Sequence, residues 1–373
     1  MGLEHWVWLG LALPPGSTKV NYILRRFPDP EEFYLAGEAG AAQVEELDEG
    51  DLIRMRAATL DVAKAAIDRA ADFGGTVLCQ SDRDFPERLK TIPATPPVLY
   101  VLGSLKGVDR AVTVAMVGSR ACSDYGRRAA AQIATGLAQK GVIVVSGLAA
   151  GIDTASHTAC LDAGGRTVAV QGCGIGAVYP PENAALKERI AQNGAVVSEF
   201  PPDAQPQSSF FPIRNRIVSG LSYGVVVVEA SVRSGTSITA ELAIEQGRDV
   251  FAVPGDVFKP GSQGTLELLK AGAVPVSDAG DILAAFSRRY PEKVRDNRPE
   301  EHDKARARMR RKPPDGISPE AAAIYAILER RAKYVDELCA QAGLSPAETA
   351  AALTELEIHG LAEHMPGRRF RLG

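Results

Sequence analysis

Residues 112–153 read VTVAMVGSRACSDYGRRAAAQIATGLAQKGVIVVSGLAAGID. The stretch opens on an apolar run, Val112 to Val117, that is short, rich in valine and followed at once by Gly118-Ser119-Arg120. A helical segment follows from about Tyr125 to Lys140. Then comes a second apolar run, Val142 to Val145, a glycine-bearing turn, and a helix from about Ile152 to Ala163. Apolar runs of this length without polar alternation suit strands buried on both faces, which is what a parallel sheet covered by helices requires.

The pattern repeats downstream. Thr167–Val170, Ala195–Val197, Val225–Val228 and Val250–Val253 are further short apolar runs separated by helical segments. This alternation predicts an α/β domain over residues 76–287, with an extended Rossmann-like, doubly wound, mostly parallel sheet. Upstream, residues 1–75 read as a small helical domain in which Pro14-Pro15-Gly16-Ser17 separates the first two helices. Downstream, residues 288–316 lose the apolar pattern and carry the basic run Lys304 to Lys312, which reads as a linker. Residues 317–373 predict a winged helix. Ser318-Pro319 starts one helix, Tyr334 to Ala342 forms a second, and Ser345-Pro346-Ala347-Glu348 caps a third. A hairpin from Leu361 to Leu372 turns at Pro366-Gly367.

Composition narrows the function. The chain has 373 residues, 45% hydrophobic and 24% charged, with a formal net charge of −4. Any polyanion site must therefore be a local patch. The cysteines (Cys79, Cys122, Cys160, Cys173 and Cys339) are scattered and form no CxxC pair. That argues against a disulfide framework or zinc site and for a reducing cytoplasm. The apolar stretch Trp6 to Leu13 is too short to span a bilayer.

In open α/β sheets, ligands bind beyond the carboxyl ends of the strands. The residues there are Gly118-Ser119-Arg120, the loop Ser146 to Gly151, Gly172 to Gly176, Ser234-Gly235-Thr236, and Pro254-Gly255-Asp256. Glycine before a helix lets a backbone approach an anion, and the helix start offers free N–H groups. Several such loops on one rim suit an extended polyanion or a dinucleotide. The segment Ser208 to Arg216 adds Phe210, Phe211, Arg214, Asn215 and Arg216. Aromatics stack on unpaired bases and arginines track phosphates, a mixture that favours a single strand over a duplex. The bland alternative puts both phenylalanines in the core and pairs the arginines with carboxylates. It is preferred for the phenylalanines and not for Arg214 and Arg216.

Enzymatic readings find less support. The chain has no GxxxxGK[ST] motif, and Gly172, Gly174 and Gly176 have the wrong spacing for a dinucleotide fingerprint. Asp153 and His157 lie four apart on a helix and could share a proton. The preferred reading is that Asp153 caps the helix and His157 packs. Ser234-Gly235-Thr236 with Glu241 faintly resembles the signature of nucleoside-monophosphate phosphoribohydrolases, without its preceding glycines.

These residues together resemble the DprA/Smf family of DNA-processing proteins. The likeness runs from about Gly75 to Leu283. It rests on Asp84 to Leu89, Pro96 to Tyr100, Val117 to Arg120, Ser146 to Asp153 with His157, Tyr179 to Asn183, Phe211 to Arg216 and Gly247 to Val250. It implies a dimer through the Rossmann domain that binds single-stranded DNA and helps load the RecA recombinase onto it during natural transformation. No catalytic residue, cofactor, metal or membrane contact is implied. The family's DNA-contact positions fall on Gly118, Ser119, Arg120, Ser146, Gly147, Gly151, Arg214 and Asn215. Phe211, Arg216, Gly235 and Thr236 join them from the reading of the rim. The N-terminal module is similar to SAM or helix-hairpin-helix modules, but Pro14-Pro15-Gly16-Ser17 stands where a Gly-x-Gly hairpin is common, and Gly176 where an Asp is. In the winged helix, Glu348, Glu355 and Glu357 on the third helix argue against duplex reading. The basic wing (Arg368, Arg369, Arg371) leaves an accessory or protein-contact role.

Overall fold

A computed structural model describes residues 2–232, 234–290, 316–328, 333–365 and 369–372. Most of the basic linker, the Pro366-Gly367 turn and Arg368 lie outside the described residues. The described residues up to 290 form one compact unit and those from 316 a second.

The first unit begins with helices α1 (Leu3–Ala12), α2 (Lys19–Arg26), α3 (Pro30–Ala41, broken at Gly37), α4 (Glu49–Ala57) and α5 (Leu60–Asp72). Helices α4 and α5 are separate because Thr59 caps α5, accepting from the Val62 N–H. Strands β1 (Thr76–Cys79) and β2 (Val98–Gly103) follow, then β3 (Thr113–Gly118) and α6 (Asp124–Ala138). Next come β4 (Ile143–Ser146), α7 (Ile152–Asp162), β5 (Thr167–Val170), α8 (Ala184–Asn193), β6 (Ala195–Ser198) and α9 (Phe210–Gly220). The unit closes with β7 (Gly224–Glu229), α10 (Gly235–Glu245), β8 (Asp249–Ala252), α11 (Pro260–Lys270), β9 (Val274–Pro275) and α12 (Ala279–Arg289).

The nine strands form one sheet in the order β1-β2-β6-β5-β4-β3-β7-β8-β9. From β6 to β9 every pairing is parallel, while β1 and β2 run antiparallel at one edge. The parallel strands alternate between two apolar layers. Val114 and Met116 of β3 pack with Ile133 and Leu137 of α6 and Ile282 and Phe286 of α12. Ala115 and Val117 pack on the opposite face with Ile217 of α9 and Ala240 of α10. Both faces are dry, so the middle residues of these strands are apolar, and burying each valine side chain contributes about 1.5–3 kcal/mol.

The edge pair β1 and β2 was not read as strands from the sequence. Their outer residues Cys79, Val98 and Tyr100 share a core with Trp6, Leu9 and Ala63, so the N-terminal helices pack directly on the sheet. The motifs around Arg88 and Arg248 meet at the amino ends of the strands, away from the carboxyl rim. Arg248 donates to the backbone oxygens of Arg88 and Gly220, and Arg88 lies over the Tyr223 ring at 3.6 Å. Those residues brace the sheet.

The second unit contains α13 (Pro319–Ile327), β10 (Lys333–Tyr334), α14 (Val335–Ala342), α15 (Pro346–Ile358), β11 (Ala362–Met365) and β12 (Arg369–Leu372), a winged helix. Ser318 and Ser345 cap α13 and α15. Glu355 of α15 accepts from the Ser318 N–H (2.7 Å) and hydroxyl (2.6 Å), tying the third helix to the start of the first. Arg371 of the wing pairs with Glu363 of β11.

Candidate functional site

The strand order fixes where the site can be. From β3 the chain moves one way through β4, β5 and β6; from β7 it moves the other way through β8 and β9. The loops leaving β3 and β7 therefore diverge, and a crevice opens between them at their carboxyl ends. A cleft of about 610 Å³ occupies that place. Gly118, Ser119, Arg120 and Ala121 line it from β3, and Ala230 and Ser231 from β7. Gly147 and Asp153 form its floor, Phe211, Arg214 and Asn215 its wall, and Ser234, Gly235 and Thr236 the start of α10.

Three groups offer hydrogen bonds to an anion. Helix α10 starts without a side-chain cap on its first N–H groups, so its N-terminal partial positive charge faces the cleft. Arg120 is exposed, and its guanidinium lies over the Phe211 ring at 5.0 Å. Asn215 donates to the Gly235 carbonyl oxygen at 3.3 Å and so joins α9 to the start of α10. The cation–π contact with Phe211 holds Arg120 over the crevice, worth about 0.5–1 kcal/mol at an exposed position.

Arg214 lines the same cleft in a different condition. It is only 4% exposed, and it donates to the backbone oxygens of Gly147 (2.6 Å) and Val170. Its charge faces Asp153, whose carboxylate accepts from the N–H groups of Gly147 (3.1 Å) and Ala149 (3.2 Å). Burial lowers the Arg214 pKa to about 10, against the pull of Asp153, and burial raises that of Asp153. The expectation was a phosphate ligand; the geometry is that of a strut joining three loops. Arg216 turns away altogether. It is 6% exposed, pairs with Glu199 at 2.5 Å and donates to the Ala94 oxygen at 2.9 Å, outside the cleft. Alternate residues early in α9 thus point to opposite sides. Phe210 stacks on Phe200 at 4.2 Å, while Phe211 lies against Tyr179 at 5.3 Å in the cleft.

Ser146 is buried, and its hydroxyl donates to the Met116 oxygen at 2.6 Å, below the cleft surface. The loop glycines also differ from the expected use. A Cβ on Gly147 would stand 2.6 Å from the Arg214 guanidinium and 2.8 Å from the Asp153 carboxylate. Gly151, at φ +81°, would bring a Cβ to 2.3 Å from the Ser119 oxygen. These glycines let protein pack on protein. Gly235 has open space where its Cβ would be, so a ligand can approach the backbone there.

Asp153 and His157, considered as a proton-sharing pair, have separate partners. The Thr167 hydroxyl donates to the Val144 oxygen, so it accepts from His157 Nδ1–H at 2.7 Å. Burial, and then the Arg214 charge, lower the His157 pKa to about 3. His157 Nε2 is buried without a partner among the described residues. Burial raises the thiol pKa of both Cys122 and Cys173, so neither is an activated nucleophile. Among the described residues, no cluster of His, Cys, Asp or Glu could hold a metal ion, and no helix is long and apolar enough to cross a membrane. Sequence reasoning assigned no role to Tyr179. Its place in the Tyr179–Asn183 motif was the available signal, and only the fold brings it to Phe211.

The cleft and its sheet have known counterparts. Residues 76–287 match the family described as DNA recombination-mediator protein A, and residues 308–368 match the DprA winged helix domain. This chain belongs to the DprA/Smf family. Protein Smf of Escherichia coli strain K12 is 38% identical over 302 residues, covering 79% of this chain and 77% of that protein. Protein Smf of Synechocystis is 36% identical over 315 residues, 79% of each chain. The DprA structure from Streptococcus pneumoniae aligns with a TM-score of 0.66 at 32% identity, covering 76% of this chain and 98% of that one. DprA from Helicobacter pylori, described for its single-stranded DNA binding mode, aligns with a TM-score of 0.52 at 29% identity, covering 57% and 97%.

Proposed function

We propose that this DprA/Smf protein binds single-stranded DNA along the carboxyl rim of its sheet and hands it to RecA, without catalysing a reaction. One observation carries this reading. The exposed Arg120 guanidinium and the open start of α10 face one crevice at the point where the strand order reverses. A phosphate there accepts from backbone N–H groups and from Arg120 together, while the Tyr179–Phe211 pair gives an unpaired base an aromatic surface. Binding of single strands by the Helicobacter pylori DprA supports the choice of ligand. RecA transfer, a role in natural transformation and homodimerisation rest on family membership.

Fluorescence anisotropy with single- and double-stranded oligonucleotides over a salt series tests the core of the reading. The expected result is preference for the single strand and an affinity that falls steeply with salt as counterions are released. Equal binding of duplex, or none at low salt, would refute it. The nucleotide-hydrolase reading is disfavoured because Ser234-Gly235-Thr236 lacks the preceding glycines of that family's signature. Release of free base from nucleoside monophosphates at enzymatic rates would revive it. RecA transfer is checked by the rate of RecA filament assembly on a coated strand with and without the protein.

A further inference from the structure

A second cavity, of about 580 Å³, adjoins the cleft along the same rim. Cys122, Ser123 and Tyr125 line it from the start of α6, and Glu229 from the end of β7. Pro254, Asp256, Lys259 and Gly261 close it from the connection between β8 and α11. Ala121 lines both cavities, so only the loop after β3 separates them. Moving along the rim, the first opens at the tips of β4, β3 and β7, the second at those of β3, β7 and β8.

The side chains lining and adjoining the second cavity are unusual for a surface that meets only water. Phe258 is 91% exposed and Val257 58%, on the loop just before α11. Tyr125 is 46% exposed, with its hydroxyl donating to the Pro254 oxygen at 2.6 Å, which fixes the ring at the cavity mouth. Lys259 follows Phe258 directly and lines the cavity. The two carboxylates present are engaged by the protein. Glu229 accepts from the Ser123 N–H and hydroxyl, and Asp256 accepts from the Phe258 N–H. That leaves an acidic floor, the Tyr125 ring at the mouth, a cation at the edge, and the exposed Phe258 ring on the adjoining loop. Phosphates are repelled from such a floor, whereas base faces gain from the rings.

We infer that the single strand held in the cleft continues over Ala121 into this second cavity, where bases stack on Phe258 and Tyr125 while Lys259 meets the backbone. This rests on the single-strand reading above and extends it to a second subsite. Stacking on a ring is tolerant of sequence because every base has a π-face, so the subsite lengthens the footprint without selecting a sequence.

The test is a ladder of thymidine homopolymers of increasing length, with wild type, Phe258→Ala and Lys259→Ala compared in the full chain. Wild-type affinity should rise a second time once the strand is long enough to leave the cleft. Phe258→Ala should remove that second rise, weakening long strands about tenfold while leaving the shortest bound strands unchanged. Lys259→Ala should reduce the salt dependence for long strands alone. Strands carrying 5-iodouracil should crosslink to Phe258 or Tyr125 from positions beyond those that reach Phe211. Equal binding by Phe258→Ala and wild type at every length overturns the subsite, as does an equal loss at every length. If wild type binds no strand, the function reading falls first and the subsite with it. Sedimentation of the DNA-free proteins gives the last check. If Phe258→Ala dissociates an oligomer, this loop is a contact between copies and the inference is wrong. An unchanged sedimentation coefficient with loss of the second rise supports it.

Discussion

Arg120 and Arg214 stand in the same cleft, within 5.0 and 6.0 Å of one aromatic ring, yet replacing each should fail in a different way. Arg120→Gln removes an exposed cation. Its effect on folding should stay within about 0.5 kcal/mol, as for surface changes generally. Its effect on binding should be large, since a charge-assisted contact to phosphate contributes about 1.5–3 kcal/mol, or roughly 10- to 100-fold. The slope of log K against log salt should become shallower by about 0.7, the value for one phosphate on a single strand. Arg214→Met instead strips the carbonyls of Gly147 and Val170 of their donor and leaves the Asp153 carboxylate buried beside no cation. Breaking such a pair costs about 3–5 kcal/mol, enough to lower the melting temperature by on the order of 10 °C in a unit of this size. Adding Asp153→Asn should recover part of that loss, because the uncompensated charge is gone. Calorimetry and anisotropy on wild type and these three variants decide the matter. If Arg214→Met melts like wild type and flattens the salt slope as Arg120→Gln does, Arg214 is a phosphate ligand and the strut argument is refuted.

Other outcomes follow from the same geometry. His157 binds its proton with a pKa of about 3 when folded and near 6.5 when unfolded. The unfolded state therefore holds the extra proton between those values. The stability contributed is complete above about pH 6.5, falls as the pH drops through that window, and totals on the order of 5 kcal/mol. His157→Gln should flatten the decline in urea midpoint from pH 7 to pH 4; an unchanged decline would clear His157 of the effect. Gly147→Ala should unfold the cleft, its Cβ having no space beside Arg214, whereas Gly235→Ala should melt normally and bind strands more weakly. The reverse order of melting temperatures would contradict the packing described. Glu355→Ala should loosen the winged helix by cutting its tie to Ser318 while leaving strand affinity unchanged, checked by amide exchange at the start of α13 and by anisotropy.

The buried parallel strands were legible because each is a short valine-rich run with no polar alternation, a pattern that dry burial on both faces imposes. Helix caps at Ser318 and Ser345 were legible because capping is a local interaction. The antiparallel strands β1 and β2 were not, since their pairing depends on β6, far along the chain. In the site, the rim position followed from topology alone, but the state of each arginine did not. The sequence put Arg214 and Arg216 in one rim segment without showing that one would face Gly147 and the other Glu199. Likewise, a glycine that admits a phosphate and a glycine that admits a neighbouring side chain look the same in sequence. Gly235 and Gly147 are separated only by what lies where the Cβ would be.

The far border of the sheet ends in the two residues of β9. The Val276 N–H is directed inward, to the Ala252 oxygen at 3.0 Å. Donors alternate sides along an extended chain, so the residue that would offer its N–H to a newcomer is Pro275, which has none. A foreign strand arriving there meets a row broken at its first rung. The sheet therefore closes itself off at this border, and copies of the chain that meet there are not drawn into one continuous sheet.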